Sequence, residues 1–217
     1  AFLPRHGKEH QLPPHKINYR ANLWAMKKLG VKEIIGPCAA GSLVPEFKPG
    51  DFVVSDQFIN MTSGRQDTFL EGPNVNHLTA ADPYCPHLTD LAYQKGKELG
   101  ITIHPNGTII VINGPRFSTR AESRFFSQIG GQVINMTQYP EGILAKELGI
   151  CYVNVALITD YDAGLEGRDD IPPVDHQSVL KVFEENIHNV KKLIMAMIED
   201  MGMESKCDCQ DSPLANL

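Results

Sequence analysis

Ile150-Cys151-Tyr152-Val153-Asn154-Val155-Ala156-Leu157-Ile158-Thr159 is the most strand-like run in the chain. It is apolar enough to be buried on both faces, the pattern of a strand inside a parallel sheet rather than one with a wet face. Such a strand needs helices packed over it, and its flanks supply them. Upstream, Tyr139 to Leu148 has helical spacing and stops at Gly149, and Val133 to Met136 reads as a short strand. Downstream, the polar stretch Asp160 to Pro173 leads into a long helix from about Val174 to Met201.

The alternation continues toward the N-terminus. Ile17, Leu23, Trp24, Met26 and Leu29 recur as one helical face within residues 15–30, with Gly30 as C-cap. Val31 to Ile35 is a short buried strand running into Gly36-Pro37-Cys38-Ala39-Ala40-Gly41-Ser42. Small residues there admit the close approach of a ligand or of a packing helix, and the residues alone do not separate the two. The turn Lys48-Pro49-Gly50 precedes a strand over Asp51 to Ile59, and Asn60 to Pro86 is a long polar loop. Leu88 to Leu99 and Thr119 to Ile129 have helical spacing, with the strand Thr108 to Ile112 between them. These segments predict an α/β fold: one domain over residues 1–202, a mixed, largely parallel sheet flanked by helices, then a polar tail over 203–217 that is expected to be mobile.

Composition removes several classes of function. The 217 residues carry a formal charge of -6 and 42% hydrophobic residues, which suits a globular domain and argues against non-specific nucleic-acid binding. A local pocket for a small anion remains compatible with that charge. No run approaches the roughly 18 apolar residues of a membrane span, and Ala1 to Gly7 lacks the pattern of a signal peptide. Five widely spaced cysteines do not form a secreted disulfide framework, so a reducing cytoplasm is expected. Cys207-Asp208-Cys209 stands apart: a C-x-C pair can be a strained disulfide or half of a metal site, but the other half is missing nearby in sequence.

Ligands of parallel sheets gather at the carboxyl ends of strands. There the chain places Cys38 and Ala39, then Arg116, Phe117 and Ser118, then Asn135, Met136 and Thr137, and finally Asp160, Tyr161 and Asp162. Asp160 and Asp162 have acid–base potential, one to bind an exocyclic amine and one to hold a proton for a leaving nitrogen; an Asx turn or a helix N-cap explains the pair equally simply. Arg5-His6 is either a phosphate-binding cationic pair or a surface dipeptide. Phe117 can stack on a heterocycle or fill a core, and His176 is a ligand or a solvated residue at a helix start.

Three stretches go further: Pro4-Arg5-His6-Gly7, the run from Gly114 to Ser123 (GPRFSTRAES), and Val133-Ile134-Asn135-Met136-Thr137. With Tyr139-Pro140-Glu141, Leu144-Ala145-Lys146-Glu147 and Thr159-Asp160-Tyr161-Asp162 they resemble the purine nucleoside phosphorylase / 5'-methylthioadenosine phosphorylase family, in order, from Phe2 to about Met201. The resemblance implies phosphorolysis of a purine nucleoside by a cytoplasmic trimer or dimer of trimers, with orthophosphate as co-substrate and no metal or organic cofactor. It implies nucleoside and phosphate as the only partners, without nucleic acid or membrane. Arg5, His6, Cys38, Ala39 and Thr137 would bind phosphate, Met136 the ribose, Phe117 the base, and Asp160, Tyr161 and Asp162 would surround the purine.

Asp162 is the expected proton donor to N7. Family members that prefer 6-oxopurines carry Asn at the position of Asp160 and tend to carry Glu at that of Ser118, so this chain resembles the adenine-selective members, with 5'-methylthioadenosine as leading substrate. His176 occupies the position that in ordinary nucleoside phosphorylases meets the ribose 5'-hydroxyl, which keeps a broad or 6-oxopurine phosphorylase as the alternative. The resemblance also places a first strand and a glycine-rich phosphate loop before Ala1, and a catalytically inactive nucleoside-binding protein is the reading in which their loss abolishes turnover. Cys207-Asp208-Cys209 resembles the C-x-C tail of some heat-stable members, where it can be a disulfide.

Overall fold

The computed structural model describes residues 1–73, 75–165, 170–202 and 207–215. Its elements run α1 (Tyr19–Lys28), β1 (Glu33–Ser42), β2 (Phe52–Val54), β3 (Gln57–Met61), α2 (Pro86–Glu98), β4 (Ile103–His104), β5 (Thr108–Ile112), α3 (Arg120–Gln128), β6 (Val133–Asn135), α4 (Gln138–Glu147), β7 (Cys151–Asp160) and α5 (His176–Asp200), after a single 3-10 turn at Pro14–Lys16. The strands form one sheet in the order β3-β5-β6-β1-β7-β2-β4. Four pairings are parallel, while β1 with β6 and β2 with β7 are antiparallel, so the sheet is mixed and largely parallel.

β7 holds the middle of the core. Alternate residues of β7 leave on opposite faces. Cys151, Val153, Val155 and Leu157 pack with Leu88 and Ala92 of α2 and with Leu193 and Met197 of α5. Tyr152 packs with Leu144, Ala145 and Leu148 of α4, and Ala156 and Ile158 join Val53, Ile109, Val111 and Val133 from the other strands. Both faces are therefore dry, which is why the run is apolar throughout. Each fully buried Leu or Val there contributes about 1.5–3 kcal/mol.

Two strands differ from their sequence patterns. The small-residue run 36–42 does not leave the sheet: β1 continues to Ser42, pairing with β7 from Glu33↔Cys151 to Ala40↔Ile158 before a register shift at Gly41. Its small side chains leave room for larger groups of β7 to cross above it. The expected strand over Asp51 to Ile59 breaks at Ser55-Asp56, where the Ser55 hydroxyl donates to Asn154 Oδ1 at 2.7 Å and Asp56 Oδ1 accepts from the Gly107 amide at 3.1 Å. That two-residue step carries the chain from β2, beside β7, to β3 at the far edge beside β5. The sheet must curl to allow this, and the apolar cluster shared by β1, β2, β5, β6 and β7 fills its interior. β4, only two residues long, is too short to leave a periodic signal.

The described part of the tail is docked on the body rather than free. The Leu214 amide donates to Glu147 O at 3.3 Å, Lys27 Nζ donates to Ala215 O at 2.5 Å, and Cys209 is buried. Among the described residues no helix is long and apolar enough to cross a membrane.

Candidate active site

Two groups of polar side chains lie along β1, one beside Pro37 and Cys38 and the other beside Gly41. The first is built on Arg5. Its guanidinium grips Glu141 of α4 with Nε to Oε2 at 2.6 Å and Nη2 to Oε1 at 2.5 Å, and Nη1 donates to Pro37 O at 3.1 Å. Burial opposes the charge, but the Glu141 carboxylate outweighs it and holds the Arg5 pKa above its ordinary value. The fork is thus largely occupied, leaving Arg5 the N–H groups outside these three bonds for any further anion. Tyr152 donates its hydroxyl to Glu141 Oε1 at 2.8 Å, and it can do so only because residue 36 is glycine: a Cβ there would collide with that hydroxyl.

Around this pair stand the other predicted phosphate-side residues. Cys38 Sγ, held above its ordinary pKa by burial, receives Asn135 Nδ2 at 3.2 Å and Asn154 Nδ2 at 3.3 Å. Ala39 is exposed beside it on β1. Thr137 is the N-cap residue of α4 and is buried, and Met136 precedes it. His6 Nδ1 donates to Leu12 O at 2.8 Å and the ring stacks on His10, ring centroids 4.6 Å apart; burial lowers its pKa. Asn135 Oδ1 and both amide atoms of Gln138 are buried without a hydrogen-bond partner among the described residues. Native interiors rarely leave such groups unpaired, and a buried water or a polar ligand can meet them equally well.

The second group sits at the carboxyl end of β7. Asp160 accepts from the Thr159 hydroxyl at 2.8 Å and from the Asp162 amide at 2.7 Å, so the Asx-turn reading of this pair is realised in the backbone. Asp162 itself has φ 47, a left-handed conformation uncommon outside glycine. Burial pushes Asp160 up to about 6, against the Thr159 and Asp162 hydrogen bonds and with the help of the Asp162 charge. Burial also raises Asp162, while the nearby hydroxyls of Ser123 and Ser118 work the other way. Neither closes a bond to Asp162 Oδ2, and both that oxygen and Ser118 Oγ are buried without a partner among the described residues. Gly41 lets β1 pass: a Cβ there would lie 2.9 Å from Asp160 Oδ1.

The register Cys38↔Ala156 and Gly41↔Asp160 separates the two groups by three residues of β1, about 10 Å. The remaining predicted residues lie around the acid pair with less engagement. Phe117 is 37% exposed, in the loop that precedes the Thr119–Glu122 capping box of α3. Tyr161 is half-buried, and His176 opens α5 on the surface, two residues after Val174, whose amide donates to Asp162 O at 2.9 Å. Sequence reasoning missed Arg65: its Nη1 donates to Tyr139 O and its Nη2 to Met136 O at 2.8 Å and Asn113 O at 3.1 Å, tying the ends of β5 and β6 to α4. Nothing in a polar loop singles that arginine out. Glu141 was visible inside a matched motif, but its role as counter-ion needs the third dimension.

A curled mixed sheet thus carries a buried arginine–glutamate pair and a buried acid pair at a strand end. The chain belongs to the phosphorylase superfamily, whose family profile matches residues 1–199, and within it to the purine nucleoside / 5'-methylthioadenosine phosphorylases. It is 51% identical over 209 residues to the S-methyl-5'-thioadenosine phosphorylase of Thermofilum pendens, covering 96% of this chain and 78% of that one. It is 44% identical over 219 residues to a 6-oxopurine nucleoside phosphorylase of Pyrococcus furiosus, covering 98% and 81%. The structure of the methylthioadenosine phosphorylase of Schistosoma mansoni in complex with adenine superposes with a TM-score of 0.88 at 35% identity, over 93% of this chain and 77% of that one.

Proposed function

We propose that the chain catalyses phosphorolysis of S-methyl-5'-thioadenosine to adenine and S-methyl-5-thioribose 1-phosphate. The observation that carries this reading is the buried Asp160–Asp162 pair with Asp162 Oδ2 and Ser118 Oγ unpartnered beside it. Burial raises the Asp162 carboxyl above its ordinary value, the direction that favours the protonated form it needs as donor to a departing base.

In the reaction the bond between the sugar's C1' and purine N9 breaks, its electron pair leaving with the base. A phosphate oxygen forms the new bond to C1'. Positive charge grows on the sugar as the bond breaks, and the phosphate held against it stabilises that charge. Negative charge grows on the purine, and the Asp162 proton passes to N7. Asp160, as carboxylate, accepts from the 6-amino group; Ser118 leaves no carboxylate to meet the N1–H of a 6-oxopurine. Arg5, His6, Thr137 and the backbone at Cys38 and Ala39 hold the phosphate, Met136 faces the sugar, Phe117 and Tyr161 bound the base, and His176 sits toward the 5' group. Acid residues at 160 and a serine at 118 favour this substrate over a 6-oxopurine nucleoside.

The reading includes a cytoplasmic homotrimer, or a dimer of trimers, that needs orthophosphate but no metal or organic cofactor for turnover. Side-by-side phosphorolysis of methylthioadenosine, adenosine and inosine tests it. Phosphate-dependent release of adenine from methylthioadenosine at the highest kcat/KM is expected. Faster inosine turnover overturns the substrate, and nucleoside binding without turnover overturns the enzyme. Light scattering on the purified protein checks the trimer.

A further inference from the structure

The tail's Cys207 and Cys209 look like half a ligand set in the sequence; the fold supplies the other half. Cys85, at the N-cap of α2, and Cys151, the first residue of β7, come to them so that all four Sγ atoms lie within 4.8 Å of one another. Cys151 Sγ and Cys207 Sγ are 3.4 Å apart, and the Cys85 thiol faces those of Cys151, Cys209 and Cys207 together. All four are free thiols. Each sulfur therefore neighbours more than one other, a cluster rather than two separated pairs. A tetrahedral zinc centre with Zn–S bonds of about 2.3 Å sets its sulfurs roughly 3.8 Å apart, so the cluster needs only a small contraction to become one.

The surroundings agree with that chemistry. Cys85 and Cys151 are 1% exposed and Cys209 8%, packed with Leu88, Leu193 and Met197. In such an apolar shell several thiolates cannot stand together without a cation, whereas one thiolate at a helix N-cap is already favoured. We propose that Cys85, Cys151, Cys207 and Cys209 form a tetrathiolate site for a soft divalent cation, zinc first, that clips the C-terminal tail to the starts of α2 and β7. Binding converts four thiols and Zn2+ into a tetrathiolate complex, with the displaced protons released to solvent and no change in oxidation state. Cys151 opens β7 and Asp160 closes it, about 30 Å apart, so the site is structural and remote from the acid pair.

The test uses the full chain purified without chelator. Elemental analysis is expected to find one zinc per chain. Replacement by Co2+ is expected to bring the sulfur-to-cobalt charge-transfer band of a tetrathiolate. Thiol titration is expected to find five reactive cysteines only after unfolding with chelator. The double variant Cys207→Ser/Cys209→Ser is expected to lose the metal and melt several degrees lower, while keeping its phosphorolysis rate at moderate temperature. A protein lighter by four hydrogens, with its cluster sulfurs in two disulfides, overturns the proposal. So do five freely titrating thiols in the native protein with no cobalt spectrum, a result that does not depend on whether the variant folds.

Discussion

Arg5 and Glu141 meet fork to fork, with contacts of 2.6 and 2.5 Å across 136 residues of sequence, and their side chains are only 17% and 9% exposed. The pair binds the N-terminal segment to α4 and points what remains of the guanidinium at β1. A buried cation stripped of its counter-ion is costly, about 3–5 kcal/mol. Glu141→Ala is therefore expected to destabilise the protein by about 3 kcal/mol in denaturant unfolding and to raise the phosphate KM more than the nucleoside KM. Equal effects on both would separate Arg5 from the phosphate.

Asp162→Asn removes the proton proposed for N7 while preserving shape. A loss of about 10²–10⁴-fold in kcat is expected, with little change in the phosphate KM. Steady-state kinetics against each substrate distinguish this from a change in binding, and an unaltered kcat removes Asp162 from the chemistry.

Asp160→Asn carries a prediction on specificity and one on pH. An amide donates as well as accepts, so the ratio of inosine to methylthioadenosine turnover is expected to rise. The folded-state pKa of Asp160 lies at about 6, above the ordinary 3.8, so the folded protein binds this proton more tightly than the unfolded chain. Wild-type stability from this group is full below about 4 and is lost as pH climbs through 6. The Asn variant lacks that loss. Relative to wild type it should gain about 2–3 kcal/mol between pH 4 and pH 7, measured by denaturant titration at both pH values.

Gly36→Ala would press a methyl into the Tyr152 hydroxyl and break its hydrogen bond to Glu141. Overpacking of this kind costs about 1–3 kcal/mol. Tyr152→Phe, which loses the hydrogen bond without the clash, is expected to cost about 1 kcal/mol. Thermal unfolding of the two variants orders them; a Gly36→Ala protein as stable as wild type would contradict the close approach described here.

The sequence made the order and kind of most elements readable because periodicity is a local property. β7 announced itself, and so did the helix ends at Gly100, Gly130 and Gly149. What stayed hidden depends on pairing. The small residues of 36–42 do not declare a strand until Asn154 to Asp160 of β7 lie beside them, and Asp51 to Ile59 looks like one strand until Ser55 finds Asn154. The site divides the same way. Asp160, Asp162, Arg5 and Thr137 lie in recognisable motifs, whereas Arg65, Gln138 and the counter-ion role of Glu141 are relationships between distant segments. The cysteine cluster was half visible for the same reason: a C-x-C pair is local, and its partners at 85 and 151 are not.

The two-residue step at Ser55-Asp56 also sets a timetable. β1 pairs with residues from Cys151 onward, β2 with Val155 to Leu157, and β3 with Thr108 to Ile112, so the first sixty residues hold almost none of their own sheet partners. Non-local pairing of this sort folds slowly. During synthesis β3 can meet β5 early, but β1 and the inner edge of β2 must wait, unpaired, until β7 has emerged, and only then can the sheet close over its apolar interior. A nascent chain arrested before residue 151 has no central strand to close upon and is expected to be protease-sensitive along its whole length; one arrested well after residue 200 is not.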